Sequence, residues 1–127
     1  MKKIIIALCL GAASSYTMAA PTSWTAIGTA VEICQAGSGA AVTAVATAFV
    51  KSAFTPKCST NTSVYFDATT SNAAVGSIST KGNQSFKGNT NGGAVVKHAD
   101  CSASLGCVGS TEAAAAVAQA LTDAGSN

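Results

Sequence analysis

The sequence predicts an α+β fold, in which Ala-rich N-terminal helical segments, a small antiparallel β-meander and a C-terminal helix are stapled by two disulfides. Three observations predict it. Apolar residues recur at helical spacing ahead of Pro56, strand-sized segments alternate with Gly/Asn turns between Cys58 and Cys107, and an Ala-rich stretch with capping signals closes the chain.

In the first zone Trp24, Ile27, Val31 and Cys34 fall at i, i+3, i+7 and i+10, after the cap candidates Thr22 and Ser23. Gly37, Ser38 and Gly39 break this run. A second run, with Val42, Val45, Ala46, Phe49 and Ala53 on one face, continues to Pro56. In the middle zone Ser63–Asp67, Val75–Thr80, Gln84–Lys87 and Ala94–His98 read as strands, separated by turns at 69–72, 81–83 and 88–93. Thr111 to Asp123 reads as a helix capped by Ser110, with Glu112 in its first turn, Gly125 beyond its end, and an apolar stripe of Ala114, Val117, Ala118 and Leu121.

Residues 1–19 read as a signal peptide: Lys2 and Lys3 are basic, Ile4 to Ala13 is apolar, and small residues precede a cut after Ala19. The apolar region is too short to span a bilayer. Residues 20–127 then form a single secreted domain, exported through the periplasm. With Cys9 gone, Cys34, Cys58, Cys101 and Cys107 remain, an even number in an oxidising compartment, so two disulfides are expected. A helix from Gly39 to Phe54 would be about 24 Å long at about 1.5 Å per residue. Only Thr55, Pro56 and Lys57 could then return Cys58 to Cys34, whose Cα atoms must come within about 7 Å. The favoured pairing therefore joins Cys34 and Cys58 each to one of Cys101 and Cys107, tying the helical zone to the sheet.

Composition excludes several functions. Only 9% of residues are charged, against about 25% in an average domain. After loss of the leader five Lys face five carboxylates, so the net charge is near zero. The chain has no Arg, the side chain suited to bidentate phosphate recognition, which argues against nucleic acid as a partner. Within 20–127, Ala, Thr, Ser and Gly make up 61 of 108 residues. The large side chains available for a core are few, among them Trp24, Ile33, Phe54, Tyr65, Phe66, Ile78 and Phe86. Stability must therefore draw on the disulfides or on assembly.

No catalytic motif is legible. The sole histidine is His98, its nearest acid in sequence is Asp100, there is no GxSxG, and the carboxylates Glu32, Asp67, Asp100, Glu112 and Asp123 are scattered. No CxxC or HxxxH element points to a metal. We therefore expect no enzyme, no cofactor and no metal site.

The sharper feature is a ladder of small side chains, Ala36, Ala40, Ala44, Ala48 and Ser52, at the spacing that lets a second helix approach closely. Thr43, Thr47 and Lys51 dilute it too far for a constitutive transmembrane span. The expected role of the ladder is self-association into a homo-oligomer or filament. In composition the chain resembles bacterial pilins, although the N-terminal methylation motif of type IV prepilins is absent. The expected function is an exported structural or adhesive subunit of an extracellular filament or surface layer, with a host or neighbouring-cell surface as a further partner. The competing readings are a secreted bacteriocin-like membrane-active toxin and a small exported binding or inhibitor module.

Overall fold

The computed structural model describes residues 23–24, 29–44, 51–102 and 106–125. Five antiparallel strands form the main sheet: β2 (Val31–Cys34), β4 (Thr62–Ala68), β5 (Ala73–Ser79), β6 (Gln84–Asn89) and β7 (Val96–Asp100), in that spatial order. The short strands β1 (Ser23–Trp24) and β3 (Thr43–Ala44) pair in parallel beside it. A π-helical turn, Gly109–Ala113, leads into α1 (Ala114–Gly125), which packs on one face of the sheet.

The four strands β4 to β7 form a meander because each connection is closed locally. Thr69 Oγ1 accepts the N–H groups of Ser71 and Asn72 at 3.3 and 3.0 Å, while the Thr69 N–H donates to Asn72 O at 2.7 Å. At the next turn the Gly82 N–H donates to Ser79 O at 2.9 Å. The meander read from the sequence is therefore present, with β7 two residues later than Ala94–His98.

In the zone before it, the described residues 31–34 do not follow the helical spacing. Val31–Cys34 is a strand paired antiparallel with β4. After it the chain turns back through residues 36–38, with the Gln35 N–H on Ala40 O at 3.0 Å and the Val42 N–H on Ile33 O at 3.0 Å. β-Branched Val31 and Ile33 pack in the sheet, where the partner strand supplies hydrogen bonds that an isolated helix of this composition would have to supply alone. The remaining positions of the two expected helical runs at 25–28 and 45–50 lie outside the described residues, as do the leader and Leu105.

Both disulfides join sequence neighbours. Cys34 bonds Cys58 across a Cα separation of 5.4 Å, and Cys101 bonds Cys107 across 5.1 Å. The expected crossed pairing is thus corrected. It rested on a rigid helix holding Cys58 away from Cys34, but residues 39–44 and 51–54 are not helical, and the Gly37 N–H on Thr60 O, at 2.6 Å, draws the two cysteine-bearing segments together.

The C-terminal helix begins later than Thr111 and without the expected cap. Ser110 lies inside the π turn, and the capping position is extended Val108, whose own side chain makes no capping hydrogen bond. Glu112 takes over that task from within. Its carboxylate accepts the Val108 N–H at 2.7 Å, the Ser102 hydroxyl at 2.8 Å and the Ser102 N–H at 3.4 Å, pinning the segment that carries the Cys101–Cys107 bridge. At the other end the Asn89 and Asn91 amides donate to Ala120 O at 3.1 Å and Ala124 O at 2.8 Å, while Lys87 pairs with Asp123 at 2.6 Å.

Small side chains set how closely this helix approaches. Ala113, Ala116, Val117, Ala120 and Ala124 are buried against the sheet. Beneath them is Gly76 on the central strand, where an added Cβ would overlap Ala113 O and lie 2.9 Å from both the nitrogen and a methyl of Val117. Close packing of small residues does occur, but between α1 and the sheet of one subunit.

Candidate interaction surface

Strand alternation divides the sheet into two unlike faces. On β5, Ala74, Gly76 and Ile78 point toward α1, where Ala74 clusters with Val117 and Ala120, and Ile78 with Ala113 and Cys107. The same face carries the buried hydroxyls of Ser63 and Ser85. Ser63 donates to Glu32 Oε1 at 2.6 Å and Ser85 to Ala99 O at 3.3 Å. Tyr65 also bonds Glu32; burial, then the Glu32 charge and that hydrogen bond, push its hydroxyl above the ordinary phenol range.

The opposite face has no helix among the described residues. Register builds two rows across it. One runs Val31, Phe66, Val75 and Gly88; the other runs Cys34, Val64, Ser77, Phe86 and Lys97. At the β2 end, Ile33, Val42, Phe66, Ala68 and Ala73 close a core cluster. Toward β7 that cover gives out. Phe86 is 40% exposed and Val95 68%, and Phe54, which meets Phe66 edge-on with ring centres 6.4 Å apart, is 43% exposed.

On this face lies an apolar depression of about 170 Å³, lined by Phe66, Ala73, Val75, Gly88 and Val95 together with Asn89 and Thr90. Gly88 makes the hollow, since a Cβ there would sit 3.2 Å from a Val95 methyl. An apolar cavity of about 150 Å³ holds one benzene ring, so this depression suits a single aromatic or branched side chain. Beside it Lys97 and Asp100 pair at 2.7 Å, and the hydrogen bond from Lys97, then its charge, holds the Asp100 carboxyl below the usual range.

Among the described residues the other chemical groups do not converge. Among the described residues no cluster of three His, Cys, Asp or Glu side chains is placed to hold a metal. His98 sits half-buried on β7, and Asp100 beside it is engaged by Lys97. Asp123 lies below the usual carboxylate range, through hydrogen bonds from Lys87 and then Gln119, with the charges of Lys87 and His98 adding to them. The ladder residues separate. Ala36 is in the turn after β2, Ala40 in the loop that follows, Ala44 in β3, and Ser52 is exposed outside any helix or strand. Ala48 lies outside the described residues.

Sequence reasoning placed Phe54 and Phe86 among the core formers, taking size as a sign of burial. The available signal was alternation in Gln84–Lys87, where Ser85 and Phe86 necessarily face opposite ways; small residues beneath an Ala-rich helix then put Phe86 on the far side. The chain matches no protein-family model, no curated protein and no solved structure. No helix among the described residues is long and apolar enough to cross a membrane.

Proposed function

We propose that this chain is an exported, non-enzymatic structural or adhesive subunit that assembles with copies of itself into an extracellular filament or surface layer. The observation that carries the reading is the sheet face that bears no helix among the described residues, where Phe54, Phe86 and Val95 remain exposed and a hollow is sized for one such side chain. Large apolar side chains left exposed on one sheet face mark an interaction site when they gather into a patch. Burying a Phe or Val completely is worth about 1.5–3 kcal/mol, so covering three half-exposed residues on each of two copies offsets a substantial part of the cost of association.

The partner favoured is another copy. Five Lys against five carboxylates in 20–127 leave little electrostatic repulsion between subunits. The contact uses the face rather than the sheet edge, because β7 carries a bulge opposite Ser85 and Phe86 and presents Lys97, both of which oppose edge-to-edge pairing. Two disulfides fit an oxidising, extracellular setting. This face is favoured over the Ala36 to Ser52 ladder because Ala36, Ala40 and Ala44 lie in a turn, a loop and β3 rather than on one helix.

Electron microscopy of material shed by producing cells should show filaments or sheets containing this chain, with an N-terminal sequence starting Ala20-Pro21-Thr22. His98→Ala should leave assembly intact. A chain found only as dispersed monomers, or an enzymatic turnover abolished by His98→Ala with the fold preserved, would refute the proposal.

A further inference from the structure

The connection between β6 and β7 contains Asn91 followed by Gly92, the one Asn-Gly pair in the sequence. Both residues are exposed, and Gly92 has a φ of +86° with nothing within 4 Å of where a Cβ would stand. We infer that Asn91–Gly92 is a site of spontaneous covalent modification, at which loss of the Asn91 amide releases the last turn of α1. This inference is independent of the assembly proposed above.

The chemistry needs only water. The Gly92 backbone nitrogen gives its proton to solvent base and bonds to Asn91 Cγ; the Cγ–Nδ2 bond breaks, and the amide nitrogen leaves as ammonia. Water then opens the resulting five-membered imide at either carbonyl, giving aspartate or isoaspartate at position 91. No electrons are transferred. Any residue other than glycine after the asparagine would place a side chain beside the attacking nitrogen. Asn61, Asn72, Asn83 and Asn89 are followed by Thr62, Ala73, Gln84 and Thr90, so each is hindered where Asn91 is not.

The consequence follows from what the amide does. Its Nδ2 donates to Ala124 O at 2.8 Å, and with the Asn89 bond to Ala120 O and the Lys87–Asp123 pair it ties down the end of α1. A carboxylate at this position has no proton to donate. It also places negative charge at a helix C-terminus, which already carries partial negative charge. The modified chain therefore loses a tether and gains a repulsion at the same carbonyl.

The test incubates the folded, oxidised chain in mildly alkaline buffer at physiological temperature and follows peptide masses and enzymatic isoaspartate methylation. The expected result is loss of the amide at Asn91 while the other asparagines keep theirs, and no isoaspartate in Asn91→Gln. Amide exchange in residues 120–125 should quicken in the aged protein and, without ageing, in Asn91→Asp. An Asn91 that stays intact while the excised peptide deamidates would overturn the site. Unchanged exchange at 120–125 in Asn91→Asp would overturn its link to the helix.

Discussion

Replacing Gly76 by Ala adds a single methyl group at the closest approach between α1 and the sheet. Gly76 lies on the central strand, opposite Tyr65 on one side and Lys87 on the other. The new Cβ would overlap Ala113 O and stand 2.9 Å from Val117 N and a Val117 methyl. Two of those three atoms are main chain, so no rotamer change relieves the clash and the helix must lift. Ala113 and Val117 are fully buried, and a gap of about 0.5–1 Å forfeits a quarter to a half of each dispersion contact they make. Overpacking of this kind costs about 1–3 kcal/mol. Removing glycine from a strand returns roughly 0.5–1 kcal/mol. The net loss is about 1–2 kcal/mol, a fall in Tm of roughly 5–15 °C for a domain of this size. Urea unfolding followed by circular dichroism should show a lower midpoint with an unchanged slope, while Gly125→Ala, where a Cβ meets nothing within 4 Å, should stay within about 0.5 kcal/mol of wild type. A Gly76→Ala protein as stable as wild type would mean that α1 does not rest on β5 at this point.

Peptide mapping without reduction should recover Cys34 with Cys58 and Cys101 with Cys107; a fragment joining the first pair to the second would contradict the fold. On the chain-entropy model, replacing Cys34 and Cys58 together by Ser should cost about 3.5 kcal/mol, and replacing Cys101 and Cys107 about 2, because the second loop is shorter. Glu112 should impose an acid limb on stability. The hydrogen bond from the Ser102 hydroxyl, aided by the Val108 and Ser102 N–H groups, holds its folded-state pKa below the unfolded value. Its contribution is therefore complete above the ordinary carboxylate range and is lost as pH falls through the lowered value. Glu112→Gln should cost roughly 1 kcal/mol at neutral pH and flatten that limb; parallel acid limbs in the two proteins would exclude this role.

The parts of the fold legible in the sequence are those whose signals are local. Polar turns at 69–72 and 81–83 and the β-branched and aromatic residues between them mark the meander, and the Ala-rich run before Gly125 marks α1. β2 was hidden because Trp24, Ile27, Val31 and Cys34 happen to fit a helical period over a short window, and pairing with β4, some thirty residues on, overrides that period. The disulfide pairing failed with it, since the steric objection to Cys34–Cys58 assumed the helix. Ser110 is a good cap by residue type, but the Glu112 carboxylate reaches Val108 first. The interaction face was invisible for a different reason: whether Phe86 is buried depends on which sheet face α1 covers, and that is decided by Gly76, Ser63 and Ser85, whose small size has no period to read.

Sedimentation velocity across a wide concentration range, on wild type and Phe86→Glu, tests the central assignment most directly. Phe86 is exposed and directly opposite Lys97, so a glutamate there keeps a favourable cross-strand neighbour and leaves the fold intact by circular dichroism. Wild type should associate as concentration rises, and Phe86→Glu should remain a folded monomer. A wild type that stays monomeric throughout, or a folded Phe86→Glu that assembles as wild type does, would contradict it.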